Sequence, residues 1–423
     1  MSTIIIDNGS YEIKIGHASN GVESVKTLQN SIIRTKDKRL LISNQLSTIN
    51  DISGVQFKRP IERGQLVSWE VEKMIWDYAF ESTDVGLNID TFHDKDLILS
   101  EAPFTIPQMS MNSDQVVFEE YGFNSLYKSP VGGFVPFNQQ NNEKIYIPST
   151  ESVGETAVTA VETGSYSDYQ LVIDSGFNAT WIIPMVKGVI YWRGVKKLDI
   201  GGRFLSGVLR EQISFRHYNV TDETVLINNI KNESCFVSLD YNESLKKIKA
   251  KGSNKQDHVI EYVLPDFNTT TQGYVLTPEL KEKYKPQSQQ ILKLYDERFT
   301  APETLFHPEI VDVFNKAGIV ETIIDSINTL PEIVRPLIVA NIVMIGGNCN
   351  MRGFEQRLLN ELKIVLPVEW EVRIGKPSNP STYGRECASV FSQTESYQKV
   401  KITKKDYEEH GPHWVHKRFG YSL

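Results

Sequence analysis

The stretch Ile4-Ile5-Ile6-Asp7-Asn8-Gly9-Ser10 and its echo Leu171-Val172-Ile173-Asp174-Ser175-Gly176 decide the architecture of this chain. Each is a short apolar run that ends in aspartate, one small polar residue and glycine, the pattern of a buried strand breaking into a tight turn. An apolar-containing stretch resumes beyond each turn. In the first, Ile13 and Ile15 alternate with Glu12 and Lys14; in the second the run is Ala179 to Ile183. Each unit therefore reads as a β-hairpin. At such a turn glycine lets backbone N–H groups approach and cradle a phosphate, while the strand-end aspartate holds Mg²⁺ through its waters. Two such hairpins facing each other would clamp a nucleotide between two domains. The alternative is two unrelated hairpins, because a lone D-x-G is common.

Bulk properties set the frame. At 423 residues the chain is too long for one core and suits two domains. Hydrophobic content of 40% and charged content of 23% are those of an ordinary globular protein. The 3 cysteines, Cys235, Cys349 and Cys387, lie far apart without a C-x-x-C, which argues against disulfide or metal staples and for a reducing compartment. The N-terminus carries no basic-plus-apolar signal. The longest apolar run, Leu337 to Ile345, is interrupted by Asn341 and is too short to span a bilayer. A net charge of −8 argues against direct, sequence-specific nucleic-acid binding.

Further blocks give the pair of hairpins a context. Phe57 to Trp76 (F-K-R-P-I-E-R-G-Q-L-V-S-W-E-V-E-K-M-I-W), Leu97 to Pro103 (L-I-L-S-E-A-P), Phe299 to Pro308 (F-T-A-P-E-T-L-F-H-P), Ile345 to Gly353 (I-G-G-N-C-N-M-R-G) and the tail Ile402 to Lys417 occur in that order. Together with the two aspartate–glycine turns they resemble the actin family from end to end. The resemblance implies an α/β, actin-like two-domain fold: duplicated ribonuclease-H-like β-sheet domains with a nucleotide cleft between them. It places domain I at residues 1–168 and 372–423, with an outer lobe at about 21–56. Domain II spans 169–371, with an outer lobe at about 203–313. The polar segment from Asn138 to Ser152 sits where actin makes a simple crossing and reads as a surface insertion.

The same resemblance implies ATP or ADP with Mg²⁺ as the cofactor and supplies the site residue by residue. Asp7, Gly9, Ser10, Tyr11 and Lys14 would hold phosphates and metal from one side, with Asp174, Ser175 and Gly176 opposite. Asp7 and Asp174 would reach the Mg²⁺ through waters. Gly202 and Lys231 would line the nucleoside end, and Gly346, Gly347 and Met351 would border the adenine.

Departures from actin bear on activity. Tyr11 stands where actin has a second glycine, and Phe177 and Asn178 replace an aspartate and a glycine after the second turn. Val131 falls at the place of the water-orienting glutamine. Met351 replaces a tyrosine, Asn232 a glutamate and Arg63 a histidine. A bound nucleotide is expected and turnover is not; no catalytic residue is assigned. Filament assembly, which needs a head-to-tail surface, is also not expected, so the isolated protein should be monomeric.

Within the family, blocks such as V-I-D-S-G-F-N-A-T-W-I-I-P and K-K-L-D-I-G-G-R-F-L look most like a nuclear actin-related branch. That implies a subunit of a Swr-type chromatin-remodelling complex, which exchanges a core histone for its variant, located in the nucleus and also the cytoplasm. Its partners would be the remodelling ATPase and a zinc-HIT subunit, with histones and the nucleosome reached indirectly, and no membrane. The alternatives are a cytoplasmic actin-like filament or filament-end protein, and a slow ATPase of the same fold.

Local signals add elements. Phe354, Leu358, Leu362 and Leu366 recur every four residues after Gly353, an amphipathic helix. Thr403 with Asp406 makes a capping box and Gly411-Pro412 a stop, predicting a helix over 403–410. Trp414, Phe419 and Tyr421 beyond it should pack back onto domain I, a partner contact being the alternative. Lysines between Lys246 and Lys255 read as a solvated loop. His410, His413 and His416 are spaced by three, but the Gly411-Pro412 break prevents their alignment as zinc ligands.

Overall fold

The computed structural model describes residues 2–18, 25–48, 55–85, 87, 89, 91–138, 167–249, 259–266, 272–283, 290–313 and 316–419. The Asn138–Ser152 insertion beyond Asn138, the lysines after Lys249 and Tyr421 lie outside these residues.

Both aspartate–glycine turns close the hairpins that the sequence predicts. Strand Ser2–Asn8 pairs antiparallel with Glu12–His17, Asp7 opposite Lys14; strand Tyr169–Ser175 pairs antiparallel with Thr180–Val186, Asp174 opposite Trp181. Each hairpin is then extended in one way. The first strand takes a parallel neighbour, Lys95–Ser100 in the first sheet and Ile342–Ile345 in the second. A second parallel strand follows outside it, Ser125–Ser129 and Ile374–Gly375 respectively. The return strand of each hairpin carries a further antiparallel strand, Lys26–Gln29 or Lys196–Leu198. The result is two 6-stranded sheets that share this five-strand order and differ in their sixth strand, the duplicated α/β architecture. Near-continuous apolar runs such as Ile4 to Ile6 and Leu171 to Ile173 suit strands covered on both faces by helices.

Each sheet has its own core. The first gathers Ile4, Ile6, Ile13, Ile15, Trp76 and Phe80 under the helix Trp69–Glu81. The second gathers Leu171, Ile173, Ile182, Ile323 and Leu358 under helices Ile319–Asn328 and Phe354–Val365. A third cluster joins them: Ile5 and Ile98 of one sheet meet Val172, Ile183 and Val343 of the other through Phe134, Tyr383 and Cys387. The helix Pro380–Ser392 and the short helical segment Val131–Phe137 carry these joining residues and form the floor of the cleft.

Outer lobes cap both domains. Strands Ile32–Arg34, Leu40–Ile42 and Gln56–Lys58 form a small sheet over Ile33, Leu46 and Val55, and Val225 of the opposite domain packs against that core. The larger lobe holds helices Gly202–Arg216, Thr224–Ser234 and Tyr241–Lys249 with a 3-stranded sheet built on Ile260–Val263. The chain then returns. Strand Ile402–Thr403 joins the edge of the first sheet beside Ser125 and Leu126. The capping box forms as predicted, with Thr403 N donating to Asp406 Oδ2 at 3.0 Å and Asp406 N to Thr403 Oγ1 at 3.2 Å. The predicted stop is present: Gly411 leaves helical geometry at φ 75° and ends the segment that starts at Lys404, but Pro412 then begins a second helical segment, not predicted from the sequence, that runs to Phe419. Proline at the first position of a helix has no N–H to lose, so the residues read as a terminator also start the next segment. Trp414 and Phe419 pack against the first core. Among the described residues no helix is long and apolar enough to cross a membrane.

Candidate functional site

Both hairpin turns open into one cavity of about 690 Å³ between the sheets. Asp7 and Asp174 sit at the matching ends of their strands and enter it from opposite walls. Lys14 Nζ lies 3.6 Å from Asp7 Oδ2, and Ser100 Oγ donates to Asp7 Oδ1 at 2.7 Å while accepting from Asn8 N at 2.8 Å. Burial, reinforced by the Asp7 carboxylate and opposed by Lys14, pushes the Asp174 carboxyl up to about 7. Two carboxylates converging on one lysine leave uncompensated negative charge, which a hydrated divalent cation fits.

The first turn and the turn at Gly346 leave no room for a side chain, whereas a Cβ on Gly176 would meet nothing closer than Ala179 O at 3.6 Å. A Cβ on Gly9 would stand 2.5 Å from Glu12 O, and one on Gly346 would stand 2.4 Å from Ser175 O, with Gly346 already at φ +93°. Asn30 holds the first loop from behind: its Nδ2 donates to Gly9 O at 3.0 Å and its N to Tyr11 O at 2.9 Å. Beneath it the Glu72 carboxyl is pushed up to about 7 by burial, against hydrogen bonds from Asn8, Asn30 and Trp76. At the other end Lys231 donates to Gly202 O at 3.2 Å and to Ser206 Oγ at 3.1 Å, and burial draws its ammonium down to about 8.

Asp7, Gly9, Ser10, Tyr11, Lys14, Asp174, Gly176, Gly202, Lys231, Gly346, Gly347 and Met351 all line this cavity, although they come from distant parts of the chain. Ser175 does not. It is fully buried, its hydroxyl 2.9 Å from Thr180 Oγ1 and accepting from Asn348 Nδ2 at 3.2 Å, so it braces the second loop from behind. Strand alternation explains this: if Asp174 points into the cleft, the next residue points away. Val131 lines the cavity floor with two methyl groups and abuts Gly384, where a Cβ would come 2.3 Å from Val131 Cγ2. Phe177, Asn178 and Asn232 also face the cavity.

Tyr11 reaches beyond its own loop to the opposite wall. Its ring lies 5.0 Å from that of Phe177 across the cleft, and its hydroxyl accepts from Asn228 Nδ2 at 2.7 Å. Sequence reasoning missed Asn228, Asn30, Arg59 and Asn348. For Asn348, which also donates to Gly176 O at 2.8 Å, the amide inside G-G-N-C-N was a usable signal. The others are recruited by tertiary contacts alone.

The actin family's sequence profile matches residues 1–420. The chain belongs to the actin family. Its relatives include Actin-like protein ARP6 of Saccharomyces cerevisiae, 47% identical over 99% of this chain and 98% of that protein. Actin-like protein ARP6 of Eremothecium gossypii is 46% identical and that of Candida glabrata 47% identical, each with the same coverage. The actin family is one of ATP- and ADP-binding proteins that use Mg²⁺, and the doubled sheets, the two aspartates and the glycine turns of this chain sit where such a fold places its cleft.

Proposed function

We propose that this actin-family chain holds ATP or ADP with Mg²⁺ as a structural ligand and serves as a non-catalytic subunit of a nuclear chromatin-remodelling complex. The observation that carries the first half is a kept cleft with altered water-handling positions. Asp7 and Asp174 would hold the metal through waters, Lys14 and the N–H groups around Gly9 and Gly176 the phosphates. Gly202 and Lys231 would hold the nucleoside, and Gly346, Gly347 and Met351 the base. Val131 offers only methyl groups to the floor, and Phe177 offers a ring where actin has a carboxylate. A side chain that neither donates nor accepts cannot orient an attacking water, and loss of such a group typically costs about 10²–10⁴-fold in rate. Steady-state phosphate release by the purified protein should therefore fall far below that of filamentous actin. Val131→Gln alone should restore little of it, because Phe177 remains. Release at the rate of actin would sink this reading.

The second half rests on the sequence blocks of the nuclear branch and on 46% to 47% identity to proteins called Actin-like protein ARP6. The complex is of the Swr type, exchanging a core histone for its variant, and the chain bridges the remodelling ATPase and a zinc-HIT subunit. Histones and the nucleosome are met through those partners, in the nucleus, with a further pool in the cytoplasm. Purification of the tagged chain from native extract should bring down a remodelling ATPase and a zinc-HIT protein. Recovery of cytoskeletal partners alone would overturn the assignment.

A further inference from the structure

The two walls of the cleft also touch each other directly, through side chains of which the nucleotide reading uses only Tyr11. Tyr11 belongs to the first hairpin, Phe177 to the second, Asn228 to the helix Thr224–Ser234 of the second domain, and Arg59 to the end of the small outer sheet of the first. Tyr11 and Phe177 meet ring to ring at 5.0 Å. The Arg59 guanidinium lies 4.7 Å from the Tyr11 centroid and 5.3 Å from that of Phe177, covering both. Its Nη1 donates to Tyr11 O at 3.1 Å and to Asn30 O at 3.2 Å, fixing the loop and its ring together. Among the described residues no carboxylate comes within ion-pair distance of Arg59, so aromatic faces and carbonyls answer its charge at contact distance, with Glu12 acting from farther off. Asn228 completes the span by donating to the Tyr11 hydroxyl at 2.7 Å.

A second cavity of about 1090 Å³ lies between the outer lobes, and Tyr11, Phe177 and Asn228 line it as well as the nucleotide-sized one. These side chains are the partition between the two. A ligand clamped between the hairpins would bridge the same two walls. We infer that Tyr11, Phe177, Arg59 and Asn228 form a clasp across the cleft that keeps the two domains closed whether or not a nucleotide is bound. This goes beyond nucleotide binding, because the closing contacts are the protein's own.

The test compares the full-length protein stripped of nucleotide by EDTA and apyrase with the same protein saturated with Mg²⁺ and ADP, by small-angle scattering and thermal melting. The expected wild-type result is one radius of gyration in both states and a small melting shift. The variant Tyr11→Gly with Phe177→Asp should expand when stripped and melt several degrees below its loaded form. Asn228→Ala and Tyr11→Phe, which remove one hydrogen bond and leave the rings, should give smaller shifts of the same sign and serve if the double variant does not fold. A stripped wild-type protein that opens as far as the double variant, or variants no more open than wild type, would overturn the clasp. If titration shows that the wild type takes up no ADP or ATP, the nucleotide reading fails by itself. The clasp is then judged on the unliganded wild type and variants alone.

Discussion

At the scale of single residues, the facing pair Asp7 and Asp174 makes stability depend on pH. The Asp174 carboxyl is raised from its ordinary 3.8 to about 7, so the folded protein prefers it protonated. A carboxyl raised by folding favours the native state below its unfolded value and loses that contribution as pH rises through the folded one. The metal-free protein should therefore lose part of its stability between about pH 4 and 7 on this group's account. Glu72, pushed to about 7 by burial, acts in the same direction. Asp174→Asn removes one of the two, so its melting temperature should fall less steeply across that interval than that of the wild type. Mg²⁺ with nucleotide answers the ionised pair, so its stabilising shift should grow as pH rises toward 7.5 and should shrink in Asp174→Asn. Identical melting-against-pH profiles for the two proteins would show that Asp174 is not the group concerned.

At the scale of elements, what was legible in the sequence was what local rules dictate. The apolar run Ile4 to Ile6 with the period of two from Glu12 to Ile15, the aspartate–glycine turns and the every-fourth apolar residues from Phe354 onward need only neighbouring residues to be read, and all three form the predicted elements. The Thr403–Asp406 box is equally local. Replacing Asp406 by Ala removes the acceptor of Thr403 N and the side chain opposite the Thr403 hydroxyl, a loss of about 1 kcal/mol on the scale of cap substitutions. Hydrogen exchange should quicken in the segment from Lys404 to Glu409 and remain unchanged in the hairpins; a uniform loss of protection would mean that the box anchors the whole first domain. The Gly411-Pro412 stop was legible too, but the helical segment after it was not, because a terminating pair says nothing about whether apolar residues beyond it find a surface, and Val415 and Trp414 do. Lys128 was opaque for the same reason. It is buried beside Asp114 at 2.6 Å, in a strand whose sequence does not disclose where its partner lies.

At the scale of the molecule, contacts between distant segments decide what local patterns do not. Tyr11 and Asn228 are 217 residues apart, and nothing in either neighbourhood announces the other. The partner surface is a question at this same scale. The aromatic tail spends Trp414 and Phe419 on the first core, which leaves it less to offer a neighbouring subunit. The outer lobe of the second domain keeps Phe215, in the last turn of the helix Gly202–Arg216, 91% exposed and Tyr218, just beyond that helix, 47% exposed. Large aromatics of this kind are the usual energetic anchors of an interface, within a buried area that must reach on the order of 1,000 Å². Phe215→Ser with Tyr218→Ser should leave folding nearly untouched, because exposed substitutions typically change stability by about 0.5 kcal/mol or less. The isolated protein should sediment as a monomer with or without the change. In native extract, the altered chain should separate from the remodelling ATPase and the zinc-HIT protein proposed as its partners. Full co-purification of the double variant, alongside loss on altering exposed positions of the Pro412 to Phe419 segment, would move the interface to the tail.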